Sequence, residues 1–274
     1  MVSQPEDGVM KSVVWGRIGL WGLILFLPAP ILIVAAASFS DAGYIRFPPG
    51  ALSLRWYAEF LSDPRWLEGL MVSLGLAAAG AVVSTLSAFT AALVVVRGDR
   101  RWTGLFETAV LMPILFPHAA LGIAMLALMS MFKIYGTFAG LLLAHCIITL
   151  PYAYRPIAVS LRKLDPSMAE ASLSLGARHW STFWRVTVPL VRPGLVTALL
   201  FSFILSFDEV TVTMFLVGPD VTTLPVQIYS FIQESGTPVV AAISTTLVLF
   251  TMVMILLIER LVGVQFFVEP DRAR

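Results

Sequence analysis

Residues 164–189 read LDPSMAEASLSLGARHWSTFWRVTVP, and this polar stretch between two long apolar runs decides the architecture of the chain. Its first half predicts a short helix, because Ser167 and Glu170 have the spacing of a capping box. Gly176 follows at a place where a residue in the left-handed conformation commonly ends a helix. The stretch therefore predicts a helix, a glycine break and a second short helix.

The second half of the stretch carries an aromatic pattern. Trp180, Phe183 and Trp184 fall at the helical spacing i, i+3 and i+4, which predicts an apolar patch on one face. Pro189 and Pro193 mark the entry to the next apolar run. On composition alone, such an amphipathic segment fits equally well on the lipid headgroups.

The composition places the rest of the chain in a membrane. Of the 274 residues, 58% are hydrophobic and only 13% are charged, and the mean hydropathy is +0.87. An ordinary soluble domain has about 25% charged residues, so this composition excludes a typical soluble enzyme and a disordered chain. The net charge of +1 gives no indication of a nucleic-acid partner.

Six apolar runs exceed the roughly 20 helical residues that cross a bilayer. The first run resembles a secretory signal, with Lys11 and Arg17 near its start, but Pro28 and Pro30 interrupt it and it is longer than a signal's apolar region. We therefore expect an uncleaved anchor. The predicted spans of a single domain over residues 1–274 are 14–39, 70–96, 105–132, 134–159, 190–217 and 239–262, with a cytoplasmic loop at 160–188.

The positive charges predict the orientation, because Lys and Arg concentrate in cytoplasmic loops. With the N-terminus inside, 14 of the 18 basic residues fall in cytoplasmic segments, so both termini are predicted to be cytoplasmic. The four outside are Arg46, Arg55, Arg65 and Lys133.

The residues that most often bind metals are sparse. Cys146 is the only cysteine and lies in an apolar run, so we expect it to pack in the core rather than bind a metal. His118 and His145 lie in different spans without ligand spacing, and we expect buried, hydrogen-bonded histidines. We predict no metal site and no catalytic residue in this chain.

The stretch at 164–189 resembles the EAA signature of binding-protein-dependent ABC importer permeases. That signature is Glu-Ala-Ala, three residues, Gly, nine residues, Ile, one residue and Leu-Pro. Here the start has Ser in place of the second Ala, and the end has Val in place of Ile and of Leu. The matching positions are Glu170, Ala171, Ser172, Gly176, Val186, Val188 and Pro189.

The resemblance extends over most of the chain. The outer segment beginning Leu52-Ser53-Leu54-Arg55-Trp56-Tyr57 and the run Phe207-Asp208-Glu209 followed by Gly218-Pro219 are similar to the second permease of spermidine/putrescine importers. Permeases for iron(III), thiosulfate and phosphonates share much of this pattern.

The resemblance implies an all-α membrane protein of six transmembrane helices with a cytoplasmic coupling helix, in the type I importer architecture. It implies a multi-pass pore subunit in the bacterial inner (plasma) membrane, and a polyamine such as spermidine or putrescine as the solute. The expected partners are two ATPase subunits, a second and different permease, a periplasmic or outer-face substrate-binding protein and membrane lipid. ATP and Mg²⁺ are expected on the partner ATPase, because this chain lacks a phosphate-binding loop, and the chain itself has no cofactor and is not an enzyme.

Two acidic residues are candidates for the substrate pathway. Asp208 and Glu209 are expected in the outer half of the fifth span, where charges usually face a cavity or a partner. They would attract a cationic substrate, or form a structural ion pair, or cap a break in the helix. His118 stands where this branch usually has a small residue, so it would narrow or polarise the pathway.

A six-span secondary transporter is the alternative class of protein. Such a protein usually has related halves, and residues 1–137 and 138–274 show no clear repeat. A membrane scaffold would leave the EAA-like stretch without a use.

Overall fold

A computed structural model describes residues 6–98, 100–234 and 237–262, which are largely helical. The helices are α1 Glu6–Phe26, α2 Ala29–Ser38, α3 Arg55–Ser62, α4 Pro64–Arg97, α5 Arg100–Leu111, α6 His118–Met131, α7 Phe138–Arg162, α8 Pro166–Ser174, α9 His179–Thr182, α10 Val188–Phe207, α11 Leu224–Glu234 and α12 Val239–Val262.

The described chain divides into two compact units. The first contains the residues up to Asp63 together with Phe231–Phe250, and the second contains Pro64–Ser230 with the described residues from Thr251 on. The prediction of a single domain stays a prediction.

Three long helices, α4, α7 and α10, pack against one another and form the core of the second unit. Small side chains allow their backbones to approach closely, as is common between helices in membranes. Ser73, Ala77 and Ala81 form the small-residue seam of α4, and all three are buried. Gly194 of α10 lies so close to α7 that an added Cβ would overlap the side chain of Ser160.

A second buried cluster packs α6 and the turn after α10 against α7. Met125 and Met129 of α6 lie in one apolar cluster with Leu141 and Ile148 of α7 and with Val212. Because Val212 follows the end of α10 closely, this cluster holds the chain beyond α10 against the body of the second unit.

In the first unit, side-chain contacts tie α3 to the end of α2. The Trp56 indole N–H donates to the Ser40 carbonyl oxygen over 2.8 Å, and the Ser38 and Tyr57 hydroxyls are 2.7 Å apart. Trp56 and Phe60, four residues apart on α3, are buried, so one face of this helix is apolar and packed.

The helices differ from the predicted spans in several places. The first run forms two helices, α1 and α2, separated at Leu27-Pro28, and α4 begins six residues before the predicted second span. The third run is not one straight helix, because α5 and α6 meet at an angle of 106° around Phe116-Pro117. Proline disfavours a continuous helix through the residue before it, which explains the bend. The fifth helix ends at Phe207 rather than Val217. The described residues contain five helices able to cross a membrane, or six if the bent pair is one span.

Candidate functional site

The first half of the EAA-like stretch forms α8, which begins two residues earlier than the capping-box prediction requires. Asp165 is the N-cap, and its carboxylate accepts the Ser167 backbone N–H over 2.9 Å. Pro166 occupies the first turn, where its missing N–H costs nothing. Ser167 is therefore inside the helix, and the capping box was wrong. The signal that would have found the cap is the Asp-Pro pair. The hydrogen bond from Ser167 holds the pKa of Asp165 below its ordinary value.

Gly176 ends α8, as the sequence predicts. It has a φ of +86°, in the left-handed region. Its N–H donates to the Leu173 carbonyl oxygen, and the Ala177 N–H donates to that of Ser172. These two bonds form a Schellman motif, which a glycine completes at least cost. An added Cβ would meet no atom within 4 Å, so the conformation, and not crowding, requires glycine here.

The second half of the stretch connects the chain directly to α10. A π-helical segment, Phe183–Thr187, joins α9 to α10 without a break. The predicted aromatic patch is present, with the Trp180 and Phe183 ring centroids 5.8 Å apart and those of Phe183 and Trp184 5.4 Å apart. Phe183 also stacks on Phe89 of α4 at 5.9 Å.

The side chains that the signature predicts for coupling fall into two groups. Glu170, Ala171, Gly176 and Pro189 are exposed, whereas Ser172, Val186 and Val188 are half-buried. The Ser172 and Thr182 hydroxyls lie 2.9 Å apart and tie α8 to α9. Large apolar side chains of the same stretch are exposed, namely Met168, Leu175, Trp180 and Trp184. The stretch therefore offers an exposed apolar surface beside the exposed carboxylates of Asp165 and Glu170, which suits helix-in-groove docking.

The second candidate is the turn after α10, which carries both acidic residues. Asp208 is the C-cap of α10 and is exposed, and among the described residues its carboxylate has no hydrogen bond or ion pair. Glu209 is nearly buried and its carboxylate accepts the Val212 backbone N–H over 2.8 Å. Both residues thus lie in a turn beyond the helix. We call residues 207–212 the acidic turn.

His118 lies beside the acidic turn. Its Nδ1 is 3.3 Å from the second carboxylate oxygen of Glu209, and its side chain is 43% exposed. It begins α6 at the bend of the third run, so the bend brings it to the end of α10. The expectation of a buried His118 was wrong, whereas the same expectation for His145, which is fully buried and hydrogen-bonded, is confirmed.

The sequence of this chain is similar to those of known proteins. Residues 80–265 match the family model of binding-protein-dependent transport system inner membrane components. The chain belongs to this family. It is a permease subunit of a binding-protein-dependent ABC importer, and a secondary transporter is excluded.

Two curated permeases from Escherichia coli strain K12 are similar to this permease. The putrescine transport system permease protein PotI is 32% identical over 227 residues, which are 80% of each chain. The spermidine/putrescine transport system permease protein PotC is 27% identical over 231 residues, covering 84% of this chain and 87% of PotC.

A solved structure shares the fold of this permease. It is a bacterial alginate ABC transporter in complex with an alginate pentasaccharide-bound periplasmic protein, and the matched chain has a TM-score of 0.71 with 13% identity over 94% of this chain and 96% of that one. The permease therefore has the all-α type I importer fold.

Proposed function

We propose that this permease moves a polyamine, such as putrescine or spermidine, from an outer receptor into the cytoplasm. The similarity to the putrescine permease PotI and the spermidine/putrescine permease PotC supports the substrate class. The acidic turn is the observation that carries the proposal, because it places two consecutive carboxylates at the end of a span. Alkylammonium groups are positively charged at neutral pH, and a carboxylate about 4 Å away attracts such a charge by about 1–4 kcal/mol between bulk water and a protein surface.

The two carboxylates have different roles in this proposal. Asp208 is exposed and, among the described residues, without a partner, so it meets the substrate first. Glu209 already holds the Val212 N–H and faces His118. Its charge becomes available to the substrate only when His118 moves away.

The EAA-like stretch is proposed to dock on a partner ATPase through its exposed apolar side chains. ATP and Mg²⁺ are bound by that partner, and this chain contributes no cofactor. When ATP binding closes the ATPases, the coupling helices move together and the pathway changes from inward to outward opening. Because the π-helical segment connects α9 directly to α10, a displacement of the docked helices reaches the span that ends in the acidic turn.

We further propose the assembly and its orientation. The permease pairs with a second, different permease, two ATPases and a periplasmic receptor in the bacterial inner membrane. The periplasmic protein named in the alginate transporter complex supports the receptor. The concentration of basic residues in alternate loops supports cytoplasmic termini.

The test is the concentration dependence of labelled putrescine and spermidine uptake in cells that lack this protein. The cells are complemented with the wild type, Asp208→Asn or the control Asp220→Asn, which removes an exposed carboxylate outside the acidic turn. We expect Asp208→Asn to raise the KM by about tenfold, the effect of roughly 1.4 kcal/mol. Asp220→Asn should behave as the wild type.

Membrane levels of each variant, measured by immunoblot, control for expression. A KM for Asp208→Asn equal to that of the wild type contradicts a role of the acidic turn in binding. Uptake that is equally low with and without the wild-type protein contradicts the polyamine assignment and moves the substrate to the anions or metals.

A further inference from the structure

A buried histidine joins the two sides of the acidic turn. His145 of α7 has no exposed surface. Its Nδ1 lies 2.8 Å from the Ser206 hydroxyl, just before the turn, and its Nε2 lies 3.0 Å from the Thr213 hydroxyl, just after it. One imidazole therefore contacts the chain on both sides of Asp208 and Glu209.

The two hydroxyls can satisfy both nitrogens of the His145 ring. A neutral imidazole has one donor and one acceptor nitrogen, and a hydroxyl can fill either role. Both ring nitrogens are thus satisfied in a place that excludes water. Loss of the ring would leave two buried hydroxyls without a partner, and such groups are costly.

The histidine is itself fixed to the helix core. The Thr149 hydroxyl donates to the His145 carbonyl oxygen over 2.7 Å, and it lies 2.7 Å from the Ser84 hydroxyl of α4. These hydrogen bonds connect the acidic turn to both α7 and α4. The bond from the Val212 N–H to Glu209 lies within the turn, so it shapes the turn without placing it against the core.

We propose that His145 is a positioning residue for the substrate pathway, which holds the backbone on both sides of the acidic turn so that Asp208 and Glu209 keep a fixed place. Its link to transport rests on the proposed function. Its effect on the turn does not, so the two are tested separately.

The first test measures the accessibility of the acidic turn in the absence of substrate. Cys146 is the only cysteine, so Asp208→Cys in a Cys146→Ala background gives one reporter thiol in the turn. The rate of its modification by a charged methanethiosulfonate is measured in the intact complex in detergent. We expect His145→Leu to change this rate by about tenfold, as expected when buried hydrogen bonds are lost. His145→Gln, which keeps a donor and an acceptor, should restore most of the parent rate.

Tyr154→Phe is the matched control, because it removes another hydrogen bond of α7, the one to Glu107, outside the acidic turn. Its modification rate should equal that of the parent. If His145→Leu does not assemble, Thr213→Val removes one of the two contacts and should change the rate in the same direction. An unchanged rate in the assembled His145→Leu or Thr213→Val protein overturns the proposal.

The second test connects the histidine to transport through a double-mutant cycle. His145→Leu should raise the KM for putrescine in the wild-type background but add little to the KM of Asp208→Asn, because residues that act through one group are not additive. Fully additive effects would show that His145 acts elsewhere and would overturn the positioning role. If Asp208→Asn leaves the KM unchanged, the proposed role of the acidic turn in substrate binding fails, while the thiol modification rates still decide whether His145 places the turn.

Discussion

At the residue scale, the conformation of one glycine determines the form of the EAA-like stretch. Gly176 has a φ of +86° and open space around it. A left-handed backbone costs an L-residue about 1–2 kcal/mol, whatever the room available. The glycine therefore sets the angle between the exposed apolar residues of α8 and those of α9.

Gly176→Ala tests this point by adding only one methyl group. We expect weaker co-purification of the ATPase, since the strained residue opens the Schellman motif and costs about 1 kcal/mol. Gly104→Ala is the control, because Gly104 is helical, exposed and also without an atom within 4 Å of an added Cβ. That variant should bind the ATPase as the wild type does. Equal co-purification by both variants would mean that the left-handed turn is not needed for docking.

At the scale of elements, α8 depends on its N-cap. The charged form of Asp165 is favoured in the folded chain because it accepts the Ser167 N–H, which lowers its pKa. Its contribution to the helix is therefore complete above the ordinary aspartate pKa and is lost as the pH falls through the lowered value.

Asp165→Ala removes this cap, whereas Asp165→Asn keeps an acceptor of similar quality. We expect faster amide hydrogen exchange over residues 166–174 in the alanine variant and near wild-type exchange in the asparagine variant at neutral pH. Hydrogen exchange with mass spectrometry on the intact complex measures both. Faster exchange in neither variant would show that α8 does not depend on this cap.

Some of these elements could be predicted from the sequence and others could not. The helix, glycine break and aromatic patch of the EAA-like stretch depend on neighbours within a few residues, so local spacing predicted them. The proline of Phe116-Pro117 indicates the bend, but the run is hydrophobic throughout and was therefore predicted as one span. The proposed placement of the acidic turn rests on hydrogen bonds of His145, which lies 61 residues from Ser206 and 68 from Thr213. No pattern in one sequence connects residues so far apart.

At the scale of the whole molecule, α10 connects two distant parts of the second unit. In our proposal the exposed EAA-like stretch receives the motion of the ATPase, and α10 begins where that stretch ends and finishes at the acidic turn. Motion at one end and affinity for a cation at the other are thus connected by a single helix. Because one helix connects the two ends, a variant that loses coupling to the ATPase should also lose polyamine uptake.

Uptake of labelled putrescine and spermidine tests the claim most directly, in cells that lack this protein and are complemented with the wild type or with Gly176→Trp. We expect Gly176→Trp to leave the acidic turn unchanged and to disturb only the exposed turn that we propose docks on the ATPase. The account predicts that the wild type restores uptake and that Gly176→Trp, present at equal level in the membrane, does not. Uptake restored equally by both proteins would contradict the coupling role, and uptake restored by neither would contradict polyamine transport.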